Sequence, residues 1–229
     1  MGNSVTAIIL AAGSGSRMNI NRTKQQLIIN GESVLRRSVR IFNECEAITN
    51  IIVVARKDEI EFAKNETAGL EKVIEIVEGD STRAASAKCG FLYAKDTDYI
   101  AVHDAARCLV TKEIIDAVVS DAIKYGAATA STVVTDTVKT VNEHGFIQST
   151  LNRSLLRAVH TPQIFMYDIY KKALETADVY DPLITDDNSL VERILVDVHC
   201  TETGARNIKL TTLDDLEFAK MLINGEENV

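Results

Sequence analysis

Residues 6–24 of the chain, TAIILAAGSGSRMNINRTK, run from an apolar segment into small residues, which Arg17 and Lys24 follow. The apolar segment, Val5–Leu10, is rich in β-branched residues and predicts a strand buried on both faces, as at the centre of a parallel sheet. The small side chains after it let the backbone approach a ligand closely, and successive N–H groups can then point at phosphate oxygens. Arg17 and Lys24 can meet the negative charge of a polyphosphate. The segment therefore predicts a nucleoside-triphosphate site at the carboxyl end of the first strand.

Two well-known phosphate-binding motifs do not match this loop. A Walker A loop ends in Gly-Lys-Ser/Thr, which the segment lacks. A dinucleotide fingerprint needs a third glycine after Gly13 and Gly15, but Met18 occupies that position. A tight turn at the exit of the first strand is an alternative explanation of the glycines. Arg17 and Lys24 favour the nucleotide site because they fit no helix-face pattern.

The composition predicts one globular domain and argues against several classes of protein. The 229 residues include only 2 prolines and 11 glycines, which leaves no room for a linker, so we expect a single domain over residues 1–229. A net charge of −8 argues against binding to nucleic acid or to a membrane surface. The first apolar run ends at Ala12, which is too short for a signal or spanning segment. The 4 scattered cysteines predict reduced thiols in the cytoplasm and no zinc site.

Strand and helix patterns alternate through the first 134 residues. The expected strands cover residues 5–10, 50–55, 73–77, 99–103 and 127–134, and the expected helices cover 33–43, 58–65, 84–94 and 112–125. This alternation predicts an α/β fold with a mainly parallel central sheet, flanked by helices and connected by right-handed crossovers.

The alternation ends after residue 134. Residues 136–142 and 146–151 predict an antiparallel hairpin, which is too weakly amphipathic to be stable alone. We therefore expect a projecting arm, about residues 136–160, that packs on a second subunit, with a local excursion on the same subunit as the alternative. Helices are expected at 166–176 and 187–194, a strand at 196–200, and a final helix to about residue 224 that begins at a capping box of Thr212 and Asp215.

Polar residues and cations gather in the loops that follow the predicted strands. Ligands of open α/β sheets bind beyond the carboxyl ends of the strands. Besides the first loop, the candidates are Gly79, Asp80, Ser81, Arg83, Ser86, Asp104, Ala105, Arg107, Asp136, Thr137, Lys139, Arg153, Thr161, Asp186, Asp187 and Lys209. Cations and hydroxyls at one sheet edge suit a polyanionic substrate.

Several of these residues also have simpler explanations. Arg83 and Arg107 could pair with Asp80 and Asp104 and do no more. His103 ends a buried strand and is expected to be a core histidine without a catalytic role. Asp186 and Asp187 suit the N-terminus of a helix. A hydrolase is disfavoured, because no Ser-His-Asp set occurs in a nucleophile-elbow frame.

Seven segments, spread over nearly the whole chain, resemble the 2-C-methyl-D-erythritol 4-phosphate cytidylyltransferase family and follow that family's order. They are Ala11-Ala12-Gly13-x-Gly15-x-Arg17-Met18, Lys24-Gln25, His103-Asp104-Ala105-Ala106-Arg107, Asp136-Thr137-Val138-Lys139, Thr161-Pro162-Gln163-x-Phe165, Thr185-Asp186-Asp187 and Asn207-Ile208-Lys209-Leu210-Thr211. The resemblance implies a Rossmann-like nucleotidyltransferase fold and a homodimer joined through the arm. It also implies transfer of a cytidylyl group from CTP to methylerythritol phosphate, with release of pyrophosphate, in the non-mevalonate route to isoprenoids.

The resemblance implies a role for each site residue. The CTP-binding residues would be Ala11, Ala12, Gly13, Gly15, Gly79, Asp80, Arg83, Ser86 and Ala105, with the first four around the phosphates and Ser86 foremost at the cytosine and ribose. The catalytic cations would be Arg17, Lys24, Arg153 and Lys209. The acceptor would contact Asp104, Arg107, Thr137, Arg153, Thr161 and Lys209, with Arg153 and Thr161 reaching across from the partner subunit.

The chemistry of this reaction agrees with the residues present. A phosphate monoester has a second pKa of about 6 and is largely a dianion at pH 7, so its attack needs no general base. The main obstacle is repulsion between two anionic substrates, which cations and a Mg²⁺ ion held mainly through the CTP phosphates would reduce. We expect no metal ligands from the protein itself.

Three residues depart from the family pattern. Thr23 and Cys108 stand where proline is usual, and Asp80 stands where a second glycine is common. Two alternatives therefore stay open. The first is cytidylyl transfer to ribitol 5-phosphate or another polyol phosphate, and the second is a non-catalytic nucleotide-binding protein.

Overall fold

The computed structural model describes residues 2–13 and 23–226, so Gly15 and Arg17 of the first loop lie outside the described residues. The strands are β1 (Val5–Leu10), β2 (Ile28–Ile29), β3 (Glu32–Ser33), β4 (Asn50–Ala55), β5 (Val73–Glu78), β6 (Tyr99–Asp104), β7 (Ala127–Val133), β8 (Lys139–Val141), β9 (Ile147–Thr150), β10 (Arg157–Met166) and β11 (His199–Glu202). Seven of them form the central sheet, in the order β11-β7-β10-β6-β1-β4-β5. All run in one direction except β10, which is antiparallel to both of its neighbours. The mainly parallel sheet is confirmed.

Helices cover both faces of this sheet. They are α1 (Val34–Glu44), α2 (Ile60–Thr67), α3 (Arg83–Phe91), α4 (Lys112–Tyr125), α5 (Tyr167–Thr176), α6 (Asp187–Glu192) and α7 (Leu213–Glu226). Along β1, Ala7 and Ile9 point into the core beneath α1, α2 and α4, whereas Ile8 and Leu10 point into the core beneath α3, α5 and α6. This alternation explains why β1 is apolar at every position.

Local hydrogen bonds set the starts of two helices as the sequence predicts. Ser33 caps α1, because its hydroxyl accepts from the Arg36 N–H at 3.0 Å. Before α7, the Thr212 hydroxyl accepts from the Asp215 N–H at 3.2 Å, and the Asp215 carboxylate accepts from the Thr212 N–H at 2.8 Å. Both predicted caps are confirmed.

Two expectations about strands need correction. No strand was expected at residues 157–166, yet β10 occupies the middle of the sheet. Its polar residues, among them His160, Thr161 and Gln163, hide the apolar pattern of a buried strand. The late strand also begins at His199 instead of residue 196, because Val196 and Val198 pack against the core outside the strand.

The predicted hairpin is present as β8 and β9, a two-stranded antiparallel sheet separate from the central one. Its pairs include Lys139 opposite Thr150 and Val141 opposite Ile147. Phe146, in the connecting turn, is exposed, as is Ile147. Packing of this arm on a second subunit stays a prediction.

Candidate active site

The larger of two adjoining clefts lies at the carboxyl ends of β1, β4, β5 and β6 and has a volume of about 510 Å³. Its lining residues are Leu10, Ala12, Gly13, Lys24, Gln25, Arg56, Asp80, Ser81, Thr82, Arg83, Ser86, Asp104, Ala106 and Lys209. The cleft therefore gathers residues from the first loop, the β5–α3 loop and the end of β6, which are far apart in sequence.

The smaller cleft adjoins it and has a volume of about 290 Å³. Its lining residues are Arg83, Asp104, Arg107, Val159, His160, Thr161, Gln163, Thr185, Asp186 and Lys209. Arg83, Asp104 and Lys209 line both clefts and form the wall between them.

Asp104 is the centre of this wall. Its Oδ1 accepts a hydrogen bond from Arg83 Nε at 2.9 Å, and its Oδ2 accepts one from Lys209 Nζ at 2.7 Å. Burial would raise the pKa of Asp104, but the charges of Arg83 and Lys209 outweigh that effect and hold the pKa well below its usual range. The carboxylate is therefore ionised and keeps the two cations at the boundary of the clefts.

Arg83 extends this network to α6. Its Nη1 donates to Asp187 Oδ2 at 2.5 Å, and the Tyr170 hydroxyl donates to Asp187 Oδ1 at 2.6 Å. Burial would lower the pKa of Arg83, but Asp104 and Asp187 raise it. The simpler explanation that Arg83 pairs with Asp80 is wrong, since its carboxylate partners are Asp104 and Asp187.

The β5–α3 loop forms one side of the larger cleft. The Ser86 hydroxyl accepts from the Asp80 N–H and donates to the Asp80 carbonyl, both at 3.0 Å. A Cβ on Gly79 would lie 2.5 Å from Ala12 Cβ, so only glycine lets this loop pack so closely on the first loop. The Tyr180 hydroxyl donates to Asp80 Oδ2 at 2.9 Å. The Ser81 N–H and this hydroxyl lower the pKa of Asp80.

Thr161 lies in its own chain's smaller cleft and is buried. Its hydroxyl accepts from the Asp104 N–H at 3.0 Å and lies 3.1 Å from His103 Nδ1. The expectation that Thr161 reaches across from a partner subunit is therefore wrong, because β10 holds it inside the central sheet next to β6. Its place follows from the irregular pairing of β10 with β7 between Val159 and Gln163.

His103 agrees with its expected place in the core. It is fully buried, and Phe42 packs against its ring at a centroid distance of 4.7 Å. Burial lowers the pKa of His103 to about 3, so the imidazole is neutral at physiological pH.

Arg107 lines the smaller cleft and lacks the hydrogen bond to Asp104 that its simpler explanation requires, because the Asp104 oxygens accept from Arg83 and Lys209. Its Nη1 donates instead to the Asn207 carbonyl at 2.8 Å. Burial lowers the pKa of Arg107. Asn207 Nδ2 donates in turn to the Thr161 carbonyl at 2.8 Å, so the segment before Lys209 is tied to β10.

Lys24 lies in a short 3₁₀ turn, Lys24–Gln26, and lines the larger cleft. Its side chain is only 7% exposed, and its Nζ donates to the Leu210 carbonyl at 2.9 Å. The structure therefore places Lys24 beside the segment that carries Lys209.

Five of the expected site residues that the structure describes line neither cleft of their own chain: Ala11, Gly79, Ala105, Thr137 and Arg153. The Ala11 N–H donates to the Val54 carbonyl at 2.7 Å, and the Ala105 N–H donates to the Leu10 carbonyl at 3.0 Å, so both amides are used inside the sheet. Thr137 and Arg153 are exposed on the arm, where Arg153 Nη1 donates to the Thr135 carbonyl at 2.6 Å.

Six polar residues at the clefts were not among the expected ones, namely Gln25, Arg56, Thr82, His160, Gln163 and Thr185. Arg56 lines the larger cleft, and its guanidinium is held by two hydrogen bonds of 2.9 Å to Asp58. The sequence carried a signal for it, because Arg56 directly follows the buried strand β4. Gln25 and Gln163 belong to two of the motifs that carry the family resemblance. Gln163 Oε1 accepts a hydrogen bond from the Asp187 N–H at 2.9 Å.

The described residues, 2–13 and 23–226, contain no group of three or more His, Cys, Asp or Glu side chains placed to hold a metal ion. Within the same ranges, every helix is too short or too polar to span a bilayer.

Comparison with known proteins agrees with this architecture. A profile described as "IspD: 2-C-methyl-D-erythritol 4-phosphate cytidylyltransferase" matches residues 5–225. Proteins with that name from Caldanaerobacter subterraneus subsp. tengcongensis and Clostridium acetobutylicum are 40% identical over 223 residues and 38% identical over 220 residues. They cover 96% and 95% of this chain, and the matches cover 98% and 96% of the relatives.

Solved structures give the same result. The crystal structure of 4-diphosphocytidyl-2C-methyl-D-erythritol synthase from Anaerococcus prevotii matches with a TM-score of 0.86 and 27% identity, covering 97% of this chain and 99% of that one. The structure of 2-C-methyl-D-erythritol 4-phosphate cytidylyltransferase from Thermus thermophilus matches with a TM-score of 0.78 and 26% identity, covering 97% and 98%. Since profile, relatives and structures agree over nearly the whole length, this chain belongs to the 2-C-methyl-D-erythritol 4-phosphate cytidylyltransferase family.

Proposed function

We propose that this enzyme transfers the cytidylyl group of CTP to 2-C-methyl-D-erythritol 4-phosphate and releases pyrophosphate, in non-mevalonate isoprenoid biosynthesis. The observation that carries the proposal is the wall of Arg83, Asp104 and Lys209 shared by two adjoining clefts. A transferase for two anionic substrates needs two neighbouring sites with positive charge between them. Family membership supports this assignment.

CTP would occupy the larger cleft. The small residues Ala12 and Gly13 leave room for phosphates close to the backbone, and Lys24 lies at the same end. The β5–α3 loop, with Gly79 and Ser86, would contact the base and ribose. Arg56 would add a cation at this cleft. The roles of Gly15 and Arg17 stay predictions.

The acceptor would occupy the smaller cleft. Arg107 and Lys209 supply cations there, and Thr161 supplies a hydroxyl. The Asp104 carboxylate is ionised and retains free lone pairs beside its bonds to Arg83 and Lys209, so it can accept a hydrogen bond from an acceptor hydroxyl.

The chemical step would be in-line attack of an acceptor phosphate oxygen on the α-phosphorus of CTP. A new P–O bond forms, the bond from the α-phosphorus to its bridging oxygen breaks, and pyrophosphate leaves with the electron pair. No proton has to be removed, because the attacking phosphate is largely a dianion at pH 7. Two unit charges about 4 Å apart repel by roughly 4 kcal/mol at an effective dielectric constant near 20. Lys24 and Lys209 would reduce that repulsion.

The cleft carboxylates already have hydrogen-bond partners within the protein, which agrees with a magnesium ion bound mainly by CTP. Both oxygens of Asp104 already accept hydrogen bonds from cations, and Asp80 accepts from Tyr180 and from the Ser81 N–H. Phosphate oxygens and water would therefore be its main ligands, which is the usual preference of Mg²⁺. When bound, the ion supplies charge neutralisation at the phosphates.

We further propose that the single domain of residues 1–229 forms a homodimer through the arm, about residues 136–160, and acts in the cytoplasm. The support is the exposed apolar side chains of the arm, among them Phe146, Ile147 and Leu155. Arg153 and Thr137 would then reach the acceptor cleft of the partner, which explains why they lie outside both clefts of their own chain.

Pyrophosphate release from CTP tests the function directly. We expect kcat/KM for methylerythritol phosphate to exceed that for ribitol 5-phosphate at least about 100-fold, because ribitol 5-phosphate brings one more hydroxyl group, and a buried hydroxyl without a partner is costly. A higher kcat/KM for ribitol 5-phosphate would show that methylerythritol phosphate is not the preferred acceptor. Binding of CTP without pyrophosphate release in the presence of either acceptor, at high enzyme concentration, would indicate a nucleotide-binding protein without this catalytic activity.

A further inference from the structure

A buried carboxylate lies directly beneath the turn that carries Lys24. Glu59 is only 4% exposed and ends the 3₁₀ turn Lys57–Glu59, which follows β4. Its Oε1 accepts hydrogen bonds from the Thr23 hydroxyl and from Gln26 Nε2, the latter at 3.1 Å. Both donors belong to the Lys24 segment, one on each side of Lys24.

The two bonds to Glu59 fix the backbone on both sides of Lys24. A buried carboxylate is costly unless donors satisfy it, and hydrogen bonds to an ionised acceptor are stronger than neutral ones. The backbone of the turn adds bonds from the Gln26 N–H to the Thr23 carbonyl at 3.1 Å and from the Leu27 N–H to the Lys24 carbonyl at 3.2 Å. The base of the Lys24 side chain is therefore held by a segment anchored on Glu59.

The far end of the Lys24 side chain is held as well. Its ammonium donates to the Leu210 carbonyl, next to Lys209 in the wall between the clefts. A long lysine side chain has many rotamers, and fixing both ends removes most of that freedom before substrates bind. The ammonium is thus kept beside the phosphates that the larger cleft would hold.

We propose that Glu59 is a positioning residue for Lys24, acting through Thr23 and Gln26. The inference rests on the proposed function, in which Lys24 stabilises charge at the reacting phosphorus. Glu59 lines neither cleft, so its effect on catalysis passes through the Lys24 turn.

Glu59→Gln tests the proposal, with Glu61→Gln as the matched control. Glu61 lies two residues further on, in α2, is exposed, and accepts a hydrogen bond from Lys64 Nζ at 2.6 Å. We expect Glu59→Gln to lower kcat at least about tenfold, because small misplacements of a catalytic group are costly, and to change KM for CTP less than about threefold. Glu61→Gln should leave both constants unchanged.

A double variant separates positioning from general damage. In a Lys24→Ala background, Glu59→Gln should lower kcat by no more than about twofold further, because the group that it positions is gone. An unchanged kcat in Glu59→Gln, or a loss in the double variant equal to the product of the single losses, would overturn the proposal. If Glu59→Gln fails to fold, Thr23→Val takes its place, since it removes one donor and leaves the buried carboxylate intact.

Amide hydrogen exchange provides a measurement that does not depend on turnover. The Gln26 and Leu27 amides should exchange at least about tenfold faster in Glu59→Gln than in wild type or Glu61→Gln, because an amide oxygen accepts the two anchoring bonds less strongly than a carboxylate does. Equal exchange in all three proteins would overturn the proposal. Absence of pyrophosphate release by the wild type, or full activity of Lys24→Ala, would instead count against the proposed function.

Discussion

Lys209 Nζ donates a 2.7 Å hydrogen bond to Asp104 Oδ2, and Arg83 Nε donates to the other oxygen of the same carboxylate at 2.9 Å. This arrangement aims the Lys209 ammonium at the boundary between the clefts. We expect Lys209→Met to lower kcat/KM for the acceptor at least about 100-fold, because a preorganised cation stabilises charge that develops in the transition state. Pyrophosphate release at varied acceptor concentration measures this loss.

The control for Lys209 is a lysine outside the site. Lys220, in α7, pairs with Glu217 on the surface. Lys220→Met should retain kcat/KM within about twofold, as expected for a surface substitution. Equal kcat/KM in the two variants would show that Lys209 is not part of the reaction.

Arg83→Met should destabilise the fold strongly. The substitution leaves the carboxylates of Asp104 and Asp187 without their shared partner, and breaking such a buried pair costs about 3 kcal/mol or more in the free energy of unfolding. Arg193, which pairs with Asp181 at 2.6 Å near the surface, is the control, and Arg193→Met should cost less than about 1 kcal/mol. Urea unfolding of both variants measures the difference, and equal losses would contradict the prediction.

Gly79→Ala should weaken CTP binding. Its new Cβ would lie 2.5 Å from Ala12 Cβ and push apart the two loops that form one side of the larger cleft. Gly90→Ala is the control, because its Cβ would lie 2.6 Å from Ile8 Cγ2, in the core below the site. Overpacking should lower the free energy of unfolding of both variants by about 1–3 kcal/mol, and their melting temperatures should fall accordingly. Only Gly79→Ala should raise KM for CTP, and a similar KM in both would contradict this assignment.

His103 should make stability depend on pH. Its pKa in the folded state is about 3, below the usual 6.5, so the unfolded chain binds a proton below pH 6.5 that the folded chain does not. The free energy of unfolding should therefore fall as the pH is lowered, by about 1.4 kcal/mol per pH unit for this group, and the contribution should vanish above pH 6.5. His103→Asn should reduce the slope of the free energy of unfolding against pH by the contribution of one proton, about 1.4 kcal/mol per pH unit.

Guanidinium unfolding between pH 5 and 6.5 measures the slope before the carboxylates dominate. The depressed pKa of Asp104 acts lower down, because its stabilisation is lost only as the pH falls below the usual aspartate range, about 3.9. An identical slope for wild type and His103→Asn would show that folding does not lower the pKa of His103.

The arm should control the oligomeric state. Phe146 and Leu155 are 71% and 81% exposed, and burying each against a partner would contribute about 1.5–3 kcal/mol. Replacing both with serine should convert a dimer into monomers in sedimentation equilibrium. Leu195→Ser, at a 94% exposed residue outside the arm, should leave the dimer intact. A monomeric wild type at micromolar concentration would contradict the arm's proposed role.

The sequence predicted the parts of the fold that depend on local patterns. The buried run Val5–Leu10, the cap at Ser33 and the amphipathic helix Lys112–Tyr125 each carry their own signal, and all three are present. Strand β10 carries no such signal, because its polar residues serve the smaller cleft and are satisfied by partners far away in sequence, as in the bond from Gln163 to Asp186 at 2.8 Å. Tertiary contacts outweigh the local pattern there.

The candidate site was predictable as a set of residues but less so as a geometry. The loop residues after β1, β5 and β6 do meet in one cleft. Pairing of Arg83 with Asp187 joins residues 104 positions apart, so no local spacing could indicate it. The departure at Thr23 also finds an explanation, because its φ of −77° lies in the range that proline would impose.

Strand β10 runs from Arg157, in the arm, to Met166 in the middle of the sheet, and on the way Val159, Thr161 and Gln163 line the smaller cleft. A subunit contact made by the arm and an acceptor bound in that cleft would therefore act on the same piece of backbone. Thermodynamic linkage makes such an influence reciprocal: whatever association of subunits does to acceptor affinity, acceptor does equally to association. Diluting the enzyme would then alter its saturation curve for the acceptor while leaving its chemistry untouched.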